Sequence, residues 1–121
     1  MSINAIEINT LSKNYGDTNA ISDITLNVNV GEVFGYLGPN GAGKTTTIRI
    51  LLDLIRATSG SASIFGIDTR NDVQKVRAKI GYLPRDVALY ENLTGKELLK
   101  YLSNLRKIVE WDYVSNLADR L

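Results

Sequence analysis

The sequence predicts an α/β fold, and three observations carry that reading. Residues 24–30, ITLNVNV, alternate apolar and polar, the period of a strand with one face buried. Residues 33–37, VFGYL, form a short continuous apolar run, the pattern of a strand covered on both faces. From near Gly43 to near Ala57 apolar residues recur nearly all round a helical wheel, until Thr58-Ser59-Gly60 interrupts them. That pattern predicts a mostly buried helix with a stop signal behind it.

The other elements follow in chain order. Residues 3–9, INAIEIN, alternate in part and are expected to form a strand. Residues 14–19, NYGDTN, carry turn formers. The strand at 24–30 is expected to pair antiparallel, and Gly31-Glu32 to turn the chain into 33–37. Past the long helix, residues 62–65, ASIF, read as a short strand, and Val73, Val76 and Ile80 have the spacing of a small amphipathic helix. Residues 80–83, IGYL, read as another short strand, ended by Pro84. Thr94 with Glu97 three residues on makes a capping box, and Leu93 and Leu98 are placed as a hydrophobic staple around it. Leu98, Leu99, Leu102 and Leu105 supply the apolar stripe of that helix, with Lys96, Lys100 and Arg106 outside it. A last helix, WDYVSNLADRL, carries no C-cap signal. No repeat or linker divides the chain, so one α/β unit is expected.

Composition narrows the function. A chain of 121 residues is one domain's worth. A hydrophobic content of 44% fits a globular chain rather than a disordered one. The net charge of +1, from 14 Lys and Arg against 13 Asp and Glu, lacks the basic excess of a dedicated nucleic-acid binder. The absence of cysteine excludes disulfides and thiolate metal sites. The first ten residues lack the basic and apolar regions of a secretory signal. The most apolar helix is interrupted by Arg49, Asp53 and Arg56, short of the ~20 apolar residues that span a bilayer. A soluble, cytosolic chain is expected.

One stretch carries chemistry. Gly38-Pro39-Asn40-Gly41-Ala42-Gly43-Lys44-Thr45 fits the pattern G-x-x-x-x-G-K-[ST]. Glycines let the backbone curl so that successive N–H groups converge on one anion. The helix that follows adds its dipole and its unpaired N–H groups. Lys44 has the reach for the β- and γ-phosphates, and the Thr45 hydroxyl can ligate Mg²⁺. Roughly a few chains in a thousand of this length would carry the pattern by chance. Its setting here, an apolar run before and a helix after, is the one the motif requires. The competing reading is a Gly-rich turn with a solvated lysine. No Asn-Lys-x-Asp or Asp-x-x-Gly occurs, which argues against a GTPase.

The wider pattern resembles the ATP-binding subunit of an ABC transporter. The stretch from Leu11 to Asp68, LSKNYGDTNAISDITLNVNVGEVFGYLGPNGAGKTTTIRILLDLIRATSGSASIFGID, is similar to the opening of that domain, and IGYLPRDVALYENLTGKELL to its next block, most like the subunits serving drug and polysaccharide exporters. The resemblance implies the N-terminal half of an ABC-type P-loop NTPase fold, an antiparallel β subdomain with part of a parallel core, over residues 1–121. It implies ATP and Mg²⁺ as ligands. Tyr15 would stack on adenine, against the alternative of an exposed loop tyrosine. Asn40, Gly41, Ala42, Gly43, Lys44, Thr45 and Thr46 would wrap the phosphates together with Gly38, Thr46 lying near the α-phosphate. Thr47 is assigned to helix packing. Implied partners are a transmembrane permease subunit and a second ATP-binding subunit, the same or different, with no nucleic acid. The implied location is the cytoplasmic face of the membrane.

The match departs at two places. After IGYLP the family has Gln, sometimes Glu, in a loop that senses Mg²⁺ and the permease; here the residue is Arg85. A guanidinium has donors only and cannot ligate a metal. Arg85 is left with a phosphate, a partner carboxylate or water as its contact. The second departure is in the later motifs. No Ser-Gly-Gly signature, no apolar run ending in an acidic pair, and no histidine occur, so no catalytic residue is assigned. NLADRL resembles the start of the helix leading toward the signature, and the chain is expected to be a cut domain. ATP binding without turnover is therefore expected of this chain alone. The alternatives are a non-hydrolysing nucleotide-binding half with a regulatory role, and a soluble ABC-type protein acting on DNA or ribosomes, which the near-neutral charge disfavours.

Overall fold

The structure, a computed structural model, describes residues 3–107 and 110–121. The chain divides into two compact units, Met1–Tyr82 and Leu83–Leu121. The first carries β1 (Asn4–Tyr15), β2 (Thr18–Asn29), α1 (Lys44–Leu51), β3 (Ser59–Ile64), β4 (Ile67–Asp68) and α2 (Val73–Ala78). The second carries α3 (Gly95–Leu105) and α4 (Trp111–Arg120). No helix among the described residues is long and apolar enough to cross a membrane.

The sheet runs β2-β1-β3-β4, antiparallel throughout. Its two long strands reach well past the residues whose alternation is regular. Ile8 stands opposite Leu26, Leu11 opposite Ile24, and Lys13 opposite Ile21. The step from Ile8 to Leu11 is one residue too long on β1, and the step from Ile21 to Ile24 one too long on β2. Two bulges, one on each strand, absorb the excess and restore the register. Thr10 and Asp23 occupy them in left-handed conformations, at φ 44° and 47°. Side chains hold both. The Thr10 N–H donates to Thr25 Oγ1 at 2.9 Å, and the Asp23 N–H donates to Ser12 Oγ at 2.8 Å. The bulges turn Leu11 and Ile21 inward, so that Ile8, Leu11, Ile21, Ile50 and Ala62 form the buried cluster that seats α1 on the sheet.

Helix α1 ends at Leu51, six residues before the expected Ala57. The Asp53 N–H donates to the Ile50 carbonyl at 3.0 Å, and the Leu54 N–H to the Arg49 carbonyl at 2.9 Å. With Asp53 at φ 53°, this is the Schellman pair of bonds that closes a helix. Thr58-Ser59-Gly60 is thus not the stop. It brings the chain into β3, where the Thr58 N–H donates to the Ser12 carbonyl at 2.9 Å. Ile55 and Ala57 still pack against the core from this connection.

Residues 33–37 and 80–83, both expected as strands, join no ladder among the described residues. A strand is stabilised by its neighbours' hydrogen bonds as much as by its own side chains, and these runs have none. Val33 and Leu37 are almost fully exposed. Phe34 and Tyr36 instead line an apolar groove of about 310 Å³ with Ile48 and Leu51 of α1. Among the described residues the sheet is the antiparallel subdomain, and no parallel pair of strands forms. In the second unit the local signals hold. Thr94 caps α3, its side chain accepting from the Glu97 N–H while Glu97 accepts from the Thr94 N–H. Leu99, Leu102 and Leu105 of the expected stripe are each more than a third exposed.

Gly60 shows how closely the bulge is fitted. It sits at φ +83°, and a Cβ there would strike the Thr10 carbonyl and lie 2.7 Å from the Asn9 carbonyl oxygen. Gly60→Ala is expected to lower the unfolding free energy by about 2–5 kcal/mol, from left-handed strain plus the backbone clash. Urea denaturation measures it. A loss under about 1 kcal/mol would contradict this account of the bulge.

Candidate phosphate-binding site

The loop from Gly38 to Thr46 is built from one helix start and three glycines. Gly41 and Gly43 have φ of 87° and 94°, a region that Cβ-bearing residues avoid. The Ala42 N–H donates to the Pro39 carbonyl at 3.1 Å and closes the turn. A Cβ on Gly38 would lie 3.2 Å from Ala42 Cβ, so the loop curls tightly on itself. Gly43 is the N-cap of α1. A Cβ there would collide with Ile21 Cγ2 and lie 2.7 Å from the Ala20 carbonyl oxygen. Only glycine lets the helix begin this close to β2.

That placement fixes the donors. Lys44, Thr45 and Thr46 form the first turn of α1, and helix geometry leaves their N–H groups without intrahelical acceptors. No acidic residue stands in that turn. Lys44 Nζ folds over the loop, donating to the Gly38 carbonyl and, at 2.9 Å, to the Pro39 carbonyl. Thr45 is exposed and Thr46 half-buried. N–H groups without intrahelical acceptors, one ammonium and two hydroxyls, with no acidic residue in that turn, suit a polyphosphate. The Thr45 hydroxyl also supplies the lone pairs a Mg²⁺ ion needs.

A brace below the loop was not read from the sequence. Thr47, 2% exposed, donates from Oγ1 to the Gly43 carbonyl at 3.1 Å. Its oxygen also lies 3.1 Å from the Tyr36 hydroxyl, which then donates to it. Thr47 is core packing, as expected, and it also ties Tyr36 to the N-cap. The signal was a lone hydroxyl at a helix position facing the core.

Tyr15 ends β1, 50% exposed. It pairs with Thr18 across the hairpin whose second strand abuts Gly43. Hairpin and phosphate loop therefore meet through Ala20 and Ile21. Arg85 belongs to the second unit, in a bend after Pro84 with its side chain exposed, whereas the loop belongs to the first.

A glycine-lined loop opening a helix, with lysine and threonine at its start, places the chain in the class of phosphate-loop nucleotide-binding folds. Residues 21–121 match the family model described as ABC transporter, and the chain belongs to that family. It is 39% identical over 84% of its length to the bacitracin transport ATP-binding protein BcrA of Enterococcus faecalis, covering 33% of it. It is 43% identical over 84% of its length to the daunorubicin/doxorubicin resistance ATP-binding protein DrrA of Streptomyces peucetius, covering 31% of it. Among solved structures, an ATP-binding subunit of an ABC transporter superimposes with a TM-score of 0.79 at 32% identity, over 92% of this chain and 46% of that one. The chain thus spans about a third of the length of these curated relatives. Its fold is the N-terminal part of the ABC-type phosphate-loop ATPase.

The brace is open to test. Thr47→Val keeps the shape and removes the hydroxyl, leaving the Gly43 carbonyl and the Tyr36 hydroxyl one partner short. It is expected to destabilise the first unit by about 1–3 kcal/mol, read by thermal unfolding. An unchanged midpoint would show that the Tyr36–Thr47–Gly43 chain carries no stability.

Proposed function

We propose that this chain binds ATP with Mg²⁺ through Gly38, Asn40, Gly41, Ala42, Gly43, Lys44, Thr45 and Thr46, with Tyr15 as the stacking platform for the base. The observation that carries the reading is the first turn of α1, where N–H groups without intrahelical acceptors, Lys44 and Thr45 follow the glycine that seats the helix against Ile21. In the assembled state this is the nucleotide-binding part of an exporter's ATP-binding subunit. Its partners are a transmembrane permease and a second ATP-binding subunit, and its place is the cytoplasmic face of a membrane. The kinship with proteins named for bacitracin transport and daunorubicin resistance supports an exporter.

A second reading concerns activity. The chain has no histidine and no Ser-Gly-Gly sequence, and it offers no apolar strand ending in an acidic pair. Positioning of water and metal carries most phosphoryl-transfer catalysis. This chain alone is therefore assigned ATP binding without turnover, with no catalytic residue of its own.

Calorimetric titration tests the binding. Lys44→Ala is expected to weaken Mg²⁺-ATP binding by at least about tenfold, the worth of a charge-assisted hydrogen bond. Equal heats from wild type and variant would refute the site. Phosphate release by the wild type should stay at background; steady release that vanishes in Lys44→Ala would show that the catalytic groups were misjudged.

The family resemblance implies a loop after Pro84 that senses Mg²⁺; if that loop lies near the γ-phosphate, Arg85 acts there through its charge. A cation there repels Mg²⁺ and offers it no lone pair. Arg85→Gln is expected to tighten Mg²⁺-dependent ATP binding and to leave Mg²⁺-free binding equal or weaker, since an arginine pairs with bare phosphate. Titrations with and without Mg²⁺ measure both. An unchanged magnesium dependence would return Arg85 to a solvated surface residue.

A further inference from the structure

Lys13 is singled out by three observations. Its Nζ lies 4.9 Å from the centroid of the Tyr15 ring, within cation–π range. Its side chain is half-buried on β1, two residues before Tyr15, so both project from one side of the strand. It forms no ion pair with a carboxylate among the described residues. Two other lysines lie over aromatic rings, Lys79 over Phe65 and Lys100 over Trp111, at 5.6 and 5.3 Å. The Lys13 pair is the closest of the three and the one at the nucleotide site. Its cross-strand partner is Ile21, the residue against which Gly43 is packed. The lysine therefore rises from the strand pair that seats the phosphate loop.

We propose that Lys13 is a positioning residue for base recognition: its ammonium holds the Tyr15 ring in place as a stacking platform at the hairpin end beside the phosphate loop. The inference rests on the nucleotide reading above and adds a residue to it. A half-exposed tyrosine at a strand end samples several rotamers, and each stacking event must then order it. An ammonium on one face, its stem packed along the strand, removes that freedom before the ligand arrives. The cation also draws electron density toward itself, which leaves the opposite face better suited to an electron-rich purine. The contribution passes through the ring. A ligand with phosphates and no base would not sense it.

The test uses the whole chain and two probes, Mg²⁺-ATP and Mg²⁺ with inorganic tripolyphosphate. Lys13→Met is expected to weaken ATP about two- to fivefold, the range of a cation–π contact at an exposed site, and to leave tripolyphosphate unchanged. Lys13→Arg is expected to restore ATP binding, since a guanidinium also stacks on an aromatic face. In a Tyr15→Leu background, Lys13→Met should have no further effect on ATP, as required if the two residues act as one unit. Equal weakening of ATP and tripolyphosphate would overturn the proposal in favour of a direct phosphate contact. Unchanged ATP binding would overturn it outright. A measurement without ligand keeps the pair testable if the nucleotide reading itself fails. The Lys13 ε-methylene protons should show an upfield ring-current shift in the wild type that disappears in Tyr15→Leu. No such shift would refute the pairing, whatever the titrations give.

Discussion

The first unit depends on one close approach, the backbone of Gly43 against Ala20 and Ile21. No side chain fits between them. Because the helix starts there, Lys44, Thr45 and Thr46 present their N–H groups at a fixed distance from the hairpin. Because Ile21 is buried in the same cluster as Ile8, Leu11 and Ile50, the contact is continuous with the core. Moving the helix start outward by the width of a methyl group would loosen the core and the loop together. The paired bulges at Thr10 and Asp23 belong to the same constraint, since they turn Leu11 and Ile21 inward. Gly60 then follows from the bulge, as the residue that lets β3 pass the displaced Thr10 carbonyl.

Much of this was legible in the sequence where the cause is local. The capping box at Thr94 and Glu97 needs only residues three apart, and it is present as read. The alternation of Ile24, Leu26 and Val28 needs only one buried face, and it places them inward. The phosphate loop needs glycines at fixed spacing before a helix, and its conformation follows. What escaped was non-local or broke the period. The strand from Asn4 ran on to Tyr15 because a bulge shifted the alternation by one residue, which a strict period-two reading takes for an end. Helix α1 stopped at Leu51 because Asp53 adopted a left-handed conformation, for which glycine would have been the clear signal. The two-residue strand β4 was too short to show any period. The brace from Tyr36 through Thr47 to Gly43 joins residues eleven positions apart and leaves no spacing rule to follow.

The runs at 33–37 and 80–83 fail for a different reason. Their composition is that of strands covered on both faces, and composition cannot supply the neighbour that forms the ladder. Phe34 and Tyr36 still reach α1 through the groove they line, while Val33 and Leu37 face away from any partner among the described residues. The chain covers 46% of a solved ATP-binding subunit that it otherwise follows closely. A sequence can thus encode a strand whose stability lies in contacts that these residues do not make with one another. The phosphate loop is less affected, because its supports, β2 below and the Thr47 brace behind, all lie within the first unit.

We propose that this loop is a preformed anion cradle coupled to the hairpin that carries Tyr15. The most direct measurement is a map of amide chemical shifts in labelled protein as Mg²⁺-ATP is added, set beside the same map for tripolyphosphate. The amides of Gly41, Gly43, Lys44, Thr45 and Thr46 are expected to move with both ligands, and those around Tyr15 with ATP alone. Shifts that leave the 41–46 amides unmoved, or that spread over the second unit with no focus on the loop, would contradict it.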